Sequence, residues 1–212
     1  MGSEQLNLVA GAAVRHPGKG ERIAGDRYYT EDPLASAIIG ELGYFLSGNI
    51  WEPHAGGGAF TRPLLQLAAR RKLIISDLDP EAAAYDTTDP WAVIWRGVDF
   101  LGATAEDIAQ TYKPQWIIGN PPYQDVEAHI RRAVWLTRQH VVFLLPSTIL
   151  HSAGRIRLYR ECGNPRHIWH LAQRPSFTGK GTDPRNYVLV WWDKAHLGET
   201  TSTPCWDWRG DR

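Results

Sequence analysis

The chain has 212 residues, of which 43% are hydrophobic and 22% are charged, so it is neither a disordered tail nor a fibrous repeat. Its formal net charge is zero, and any attraction to a polyanion must therefore come from a local patch. Cys162 and Cys205 stand far apart, which excludes a disulfide scaffold or a cysteine-based zinc ribbon and fits a reducing cytoplasm.

The sequence predicts neither a membrane segment nor a metal site. No apolar run approaches the roughly 18 residues that are needed to cross a bilayer. The N-terminus lacks the basic start and apolar stretch of a signal peptide. The eight histidines show neither HxxxH nor HExxH spacing, so we expect no metal.

Strand-like runs alternate with helix-like stretches from residue 49 onward. The predicted elements are strand 49–52, helix 60–71, strand 72–77, a short helical piece at 80–85, strand 92–95, helix 104–112 with Thr104 as its N-cap, strand 116–119, helix 125–139, strand 141–145, and late strands 166–171 and 187–192. This alternation indicates an α/β domain with a mostly parallel sheet. Fifteen residues without a helical period join the last two strands, which favours an antiparallel element at the sheet edge.

Residues 26–194 are expected to form this domain, with an N-terminal arm at 1–25 and a C-terminal tail at 195–212. Both ends are the least patterned parts of the chain.

A glycine-rich turn follows the first predicted strand. Glu52 and Pro53 precede Gly56-Gly57-Gly58, and Phe60 opens the next helix. Glycines at this position let the backbone turn sharply and let a ligand approach closely. Asp77 ends the second strand, where a carboxylate can accept hydrogen bonds from ribose hydroxyls. A purely structural turn, with Asp77 as a helix cap, is the alternative.

A third acidic residue, Asp99, follows the third strand and precedes Phe100. Asp99 could accept a hydrogen bond from the exocyclic amine of adenine while Phe100 packs on the ring. A turn aspartate followed by a core phenylalanine is the alternative, and the two residues taken by themselves favour it.

The tetrad Asn120-Pro121-Pro122-Tyr123 ends the fourth strand. Two prolines fix two φ angles, so this loop is stiff. The Asn120 side-chain carbonyl and the Pro121 backbone carbonyl are acceptors that can grip a planar NH₂ group, on whose ring Tyr123 can stack. Such a clamp favours localisation of the nitrogen lone pair during alkylation. A proline turn with a packed tyrosine is the alternative.

On these residues the chain resembles S-adenosylmethionine-dependent DNA adenine-N6 methyltransferases. The stretch 52–60 resembles the cofactor motif E-P-x-x-G-x-G-x-F, and Asn120-Pro121-Pro122-Tyr123 matches the catalytic NPPY motif. The resemblance implies that Asp77 and Leu78 hold the ribose and that Asp99 and Phe100 hold the adenine of the cofactor. Cofactor contacts are thereby expected from Glu52, Pro53, Gly56, Gly58, Phe60, Asp77, Leu78, Asp99, Phe100 and Asn120.

Upstream, Tyr29 and Thr30 resemble a Y-x-T-P segment that holds the methionine end of the cofactor, although Glu31 stands where that pattern has proline. This order of motifs is similar to that of the gamma group. The family implies a Rossmann-like seven-stranded sheet with an antiparallel edge hairpin. The stretch 174–180 resembles the loop before the last hairpin, so Phe177 is expected, with Tyr123, to contact a base flipped out of the duplex.

Residues 151–190 carry seven basic and two acidic side chains. Surrounding Phe177, this block is expected to face nucleic-acid phosphates. The residues expected to contact the backbone are Arg155, Arg157, Arg174, Lys180 and Arg185. An ordinary solvated face is the alternative for this block.

Only about twenty residues follow Trp192, too few for a separate target-recognition domain. The resemblance is therefore closest to compact phage-encoded enzymes, which implies a bacterial or phage-infected cytoplasm, and selectivity is expected to be weak, to come from loops, or to come from a partner protein. RNA adenine-N6 and protein glutamine-N5 methyltransferases remain alternatives, as does a nucleic-acid-binding module without turnover. His54, in the glycine turn, is expected to be a loop residue beside the cofactor.

Overall fold

A computed structural model describes residues 29–67, 71–177 and 183–210 of the chain. The expected arm at 1–25 lies outside the described residues. Eight strands and five α-helices are present in the described part: α1 Asp32–Leu42, β1 Ile50–Glu52, α2 Thr61–Leu65, β2 Leu73–Asp77, β3 Ala92–Arg96, α3 Thr104–Tyr112, β4 Trp116–Gly119, α4 Val126–Leu136, β5 His140–Pro146, α5 Arg155–Cys162, β6 His167–Leu171, β7 Tyr187–Asp193 and β8 Thr201–Trp206. Two short 3₁₀ helices cover Ala83–Tyr85 and Ser147–Leu150.

All eight strands form one sheet in the order β3-β2-β1-β4-β5-β7-β6-β8. Neighbours from β3 to β5 pair in parallel, and β7 runs antiparallel to both β5 and β6. The predicted α/β fold with a mostly parallel sheet and an antiparallel pair toward one edge is therefore confirmed. The sheet has eight strands rather than seven, because β8 pairs in parallel with β6 and lies outside the expected hairpin.

Two hydrophobic cores cover the two faces of the sheet. Side chains that alternate along a strand point to opposite faces, so Ile118 of β4 joins one core and Ile117 joins the other. Every residue of β5 and β7 is buried, which explains why both strands read as continuous apolar runs. The doubly covered sheet fixes the strand ends from which the candidate site is built.

The strand order reverses direction between β1 and β4. After β1 the chain adds β2 and β3 on one side, and then it crosses to place β4 and β5 on the other. In open sheets of this kind the crevice outside the carboxyl ends of the two strands at such a switch point is the usual ligand site. The glycine turn follows β1 and the Asn120 tetrad follows β4, so both predicted motifs border this crevice.

Several predicted elements differ in detail. Helix α2 ends at Leu65 rather than at residue 71. Thr104 is the first residue of α3 rather than its N-cap: Ala103 holds the cap position, with no side-chain hydrogen bond. Helices α1 and α5 were not predicted, and the stretch expected as a tail contains β8. In the described residues, no helix has the length and apolar character required to span a bilayer.

Candidate active site at the carboxyl ends of β1, β2 and β4

The glycine turn is shaped by positive φ angles and by contacts that a larger side chain would disturb. Gly56 has a φ of +48° and Gly58 a φ of +77°, conformations that favour glycine. A Cβ at Gly56 would lie 3.1 Å from Cε1 of Tyr29, and one at Gly58 would lie 3.1 Å from Cα of Ala84. The turn is thus packed between Tyr29 on one side and the chain after β2 on the other.

Asp77 ties the glycine turn to the end of β2. Its carboxylate accepts a hydrogen bond of 2.8 Å from the Gly56 N–H and one of 2.9 Å from the Asp79 N–H. Leu78, the next residue, is 68% exposed. The structure therefore places the Asp77 carboxylate beside the turn and leaves the apolar side chain of Leu78 exposed next to it.

Glu52 supports the turn from below instead of facing solvent. Its side chain is 1% exposed and accepts a hydrogen bond of 2.5 Å from the Thr61 hydroxyl. Burial raises the pKa of the Glu52 carboxyl to about 8, although the hydrogen bond from Thr61 and the charge of Arg62 act in the opposite direction. Pro53 and Phe60 are also buried, and Phe60 belongs to a hydrophobic core. These three predicted cofactor residues shape the turn rather than line an open cavity.

Asp99 and Phe100 lie at the third strand end. Asp99 is exposed, and its carboxylate accepts a hydrogen bond of 2.9 Å from the Leu101 N–H. The Phe100 ring is 3% exposed and packs edge-on against Trp51, with ring centroids 5.2 Å apart. The expected packing of this ring on an adenine is therefore not provided by the structure, because its faces are occupied by the core. The part of Phe100 that lies next to Asp99 is therefore its backbone, since its ring is in the core.

Asn120 meets the segment that was expected to hold the methionine end. Its side-chain Nδ2 donates a hydrogen bond of 3.2 Å to the Thr30 hydroxyl. Tyr29, the preceding residue, lies against Gly56 and Gly57. The segment 29–30 therefore bridges the glycine turn and the tetrad, the two motifs that the sequence separates by about sixty residues.

Three aromatic rings form a row beside the tetrad. The Tyr123 ring lies 6.0 Å from that of Tyr187, and the Phe177 ring lies 4.9 Å from that of Tyr187, in an edge-on arrangement. Burial is the main cause that raises the pKa of Tyr123 well above its usual value. Phe177 is 2% exposed, so it stands near the expected place but inside the core rather than at the surface. Tyr187 was not predicted as a site residue, although it opens a predicted strand.

A pair of histidines lies beneath the switch point. The imidazole nitrogens Nε2 of His54 and Nδ1 of His129 are 2.9 Å apart. Burial lowers the pKa of His54 well below its usual value and lowers that of His129 to about 4, so both rings are neutral near pH 7. His54 thus lies in the loop after β1, where it is partly exposed and contacts His129 of α4.

The basic block is partly compensated by carboxylates. Arg155 forms an ion pair with Glu127, and Arg157 forms one with Glu161 at 2.6 Å. Arg174 and Arg185 are exposed, and Arg174 donates to the Pro184 carbonyl. Lys180 lies outside the described residues. Among the described residues, no group of three or more His, Cys, Asp or Glu side chains could hold a metal ion.

Comparison with solved structures gives three informative neighbours. A Listeria monocytogenes protein assigned to the class I S-adenosylmethionine-dependent methyltransferases superposes with a TM-score of 0.66 at 13% identity, over 89% of this chain and 69% of that one. Magnesium protoporphyrin IX methyltransferase from Synechocystis, which was solved with bound S-adenosylmethionine, gives 0.51 at 13% identity, over 77% and 79%. A modification subunit of a type I restriction enzyme from Vibrio vulnificus gives 0.55 at 13% identity, over 82% and 45%.

At such identities the likeness establishes the fold, which is that of the Rossmann-like methyltransferases. No model of a protein family matches the chain, and no curated protein sequence matches it. Activity, cofactor and substrate must therefore be argued from the site itself.

Proposed function

We propose that this protein transfers a methyl group from S-adenosylmethionine to the exocyclic N6 amine of adenine in DNA. One observation carries the proposal: the glycine turn and the Asn120 tetrad border the same switch point and are joined through Tyr29 and Thr30. A cofactor site and an amine clamp are thus neighbours across one crevice. The fold shared with proteins of this cofactor class supports the same conclusion.

The residues around the crevice suit a cationic nucleoside. The absence of side chains at Gly56 and Gly58 would let a ligand approach the backbone of the turn closely, with Tyr29 beside it. The Asp77 carboxylate, held beside the turn, would accept the ribose hydroxyls, and exposed Leu78 would cover one face of the adenine. Asp99 would accept the adenine amine, with the backbone of Phe100 beside it. Glu52 would act through the turn that it supports.

When bound, the cofactor would supply an electrophilic methyl carbon attached to a sulfonium. Asn120 and the Pro121 carbonyl would accept the two N–H groups of the target amine and so favour a tetrahedral nitrogen as its lone pair attacks. The stiff Pro121-Pro122 pair keeps these acceptors in place. The nitrogen would bond to that carbon as sulfur departs with the electron pair of the broken carbon–sulfur bond, while Asn120 and Pro121 would hold the amine until it loses its proton to water.

The row of rings at Tyr123, Tyr187 and Phe177 would form the wall of a base pocket. Tyr123 would stack on the flipped adenine, and Phe177 would support the pocket through Tyr187, whose ring it contacts edge-on. Exposed Arg174 and Arg185 would contact phosphates on the same side of the sheet, whereas Arg155 and Arg157 would have to leave their ion pairs to do so.

The test is incubation with radiolabelled S-adenosylmethionine and matched DNA, RNA and protein acceptors, followed by nucleoside and amino-acid analysis. The proposal predicts N6-methyladenine in DNA. Label in RNA adenine or in protein glutamine would establish one of the two alternative acceptors. Absence of label from every acceptor, with the cofactor bound, would favour a binding module without turnover.

A further inference from the structure

Glu31 stands where the resembled Y-x-T-P segment has proline, and it occupies the N-cap position of α1 with a φ of −71°. Its side chain makes no hydrogen bond to its own helix. Oε1 instead accepts a hydrogen bond of 2.9 Å from the Ser176 N–H, 145 residues away in the chain. A carboxylate that does not cap its own helix thus holds the residue next to Phe177.

The loop that Glu31 holds is also fastened to the end of β8. Trp208 Nε1 donates a hydrogen bond of 3.0 Å to the Gln173 carbonyl, and Gln173 Nε2 donates one of 2.5 Å to Asp207. The Ala172 N–H donates to the Trp206 carbonyl at 3.0 Å. Three hydrogen bonds therefore bind the first part of the 172–177 loop to the last residue of β8 and to the two residues after it.

Arg209 adds a longer-range contact at the same place. Its Nη2 lies 3.9 Å from Oε1 of Glu31, and its guanidinium lies 4.7 Å from the centre of the Trp208 ring. An ion pair of this length with both side chains partly exposed contributes little by itself. The hydrogen bond from Ser176 is the stronger connection, because a charged acceptor roughly doubles the strength of such a bond.

On the other side, Glu31 directly follows Tyr29 and Thr30, which contact the glycine turn and Asn120. We propose that Glu31 is a positioning residue that fixes this segment against the 172–177 loop and the end of β8, and thereby orients the Asn120 amide. The catalytic consequence of that orientation rests on the proposed function. It gives the C-terminal strand a role at the active site.

The test compares Glu31→Ala, which removes the acceptor, with Glu31→Gln, which keeps an oxygen for the Ser176 N–H. Glu41→Ala is the matched control: Glu41 lies at the other end of α1, where its Oε1 accepts a hydrogen bond of 3.2 Å from Trp169. Small misplacements of reacting groups lower rates by up to about 100-fold, so Glu31→Ala should lower kcat about 10- to 100-fold. The KM for S-adenosylmethionine should change less, and Glu31→Gln and Glu41→Ala should stay near the wild-type kcat.

Two readouts do not depend on turnover. Hydrogen exchange of the Ser176 amide should be faster in Glu31→Ala only, and the NMR resonances of the Asn120 side-chain amide, assigned by their loss in Asn120→Ala, should shift in that variant. Unchanged exchange and resonances in Glu31→Ala, or equal effects of Glu31→Gln and Glu31→Ala, would overturn the role of Glu31. Absence of methyl transfer by the wild-type protein would instead count against the proposed function. The two readouts would still show whether Glu31 orients the Asn120 amide.

Discussion

Two halves of the sheet meet at the candidate site, and each builds its side in a different way. The β1–β3 half contributes strand-end loops whose polar contacts join residues that are close in the sequence. The hydrogen bond between Gly56 and Asp77, for example, spans 21 residues. The β5–β8 half contributes aromatic rings and the Glu31–Ser176 bond, which joins positions 145 residues apart. Under the proposed function, the nucleoside side would thus be encoded locally, whereas the acceptor side would depend on assembly of the whole sheet.

The largest expected effect comes from the junction of the two halves. Asn120→Ala removes the side-chain acceptor of the amine clamp, and loss of one such preorganised group typically costs about 10²- to 10³-fold in rate. Single-turnover methyl transfer should fall by about that factor, while cofactor affinity measured by calorimetry should stay near the wild-type value. Asn164→Ala, in the exposed loop after α5, is the control. Turnover close to the wild-type rate in Asn120→Ala would show that Asn120 does not hold the target amine.

A substitution in the β1–β3 half should change binding rather than chemistry. Asp77→Ala removes the carboxylate that holds Gly56 and is assigned to the ribose. Because hydrogen bonds to charged groups contribute about 1.5–3 kcal/mol, the Kd for the cofactor should rise about 10- to 100-fold. Asp89→Ala, which removes a similar turn carboxylate that accepts from the Trp91 N–H, should leave the Kd unchanged. An unaltered Kd in Asp77→Ala would show that the ribose assignment is wrong.

A substitution in the β5–β8 half should do the reverse. Phe177→Leu keeps an apolar side chain in the core but shortens the row of rings beside Tyr123. We expect transfer to duplex DNA to fall about 2- to 10-fold with little change in cofactor Kd, because the base pocket loses an aromatic contact worth about 0.5–1.5 kcal/mol. An equal loss of cofactor affinity would contradict a role on the acceptor side.

The last expected effect is on stability rather than on methyl transfer, and it concerns the histidine pair that lies beneath both halves. The unfolded chain has histidine pKa values near 6.5, whereas burial lowers the pKa of His129 in the native chain to about 4. Between about pH 4 and pH 6.5 the native chain therefore binds fewer protons than the unfolded chain. Stability should therefore fall as the pH falls from about 6.5 toward 4. In urea unfolding, His129→Gln should reduce this decline in the free energy of unfolding by about 1–2 kcal/mol. His151→Gln, on an exposed loop, is the control and should leave the decline unchanged. Parallel stability profiles for the two variants would contradict the neutral pair.

The elements that sequence reasoning could predict are those whose pattern is local. Strand 116–119 was placed with correct bounds, because its apolar run ends at a glycine and a double proline. Helix α1 carries a helical spacing at Leu34, Ile38 and Leu42, all buried, and this signal could have revealed it.

Other elements depend on contacts that no local pattern contains. Helix α5 buries only Leu158 fully, and two ion pairs with α4 join it to the rest of the chain: Arg155 with Glu127 and Glu161 with Arg131. Strand β8 contains Pro204, which the edge position tolerates because an edge strand leaves one row of N–H groups without a ladder partner. The burial of Phe100 and Phe177 likewise follows from tertiary packing, which no local pattern contains.

The crystal structure of the protein with S-adenosylhomocysteine tests the central claim most directly. The account predicts the nucleoside outside the ends of β1 and β2, with its ribose hydroxyls within hydrogen-bonding distance of the Asp77 carboxylate and its sulfur facing Asn120. A ligand bound elsewhere on the molecule, with the crevice between β1 and β4 left empty, would contradict it.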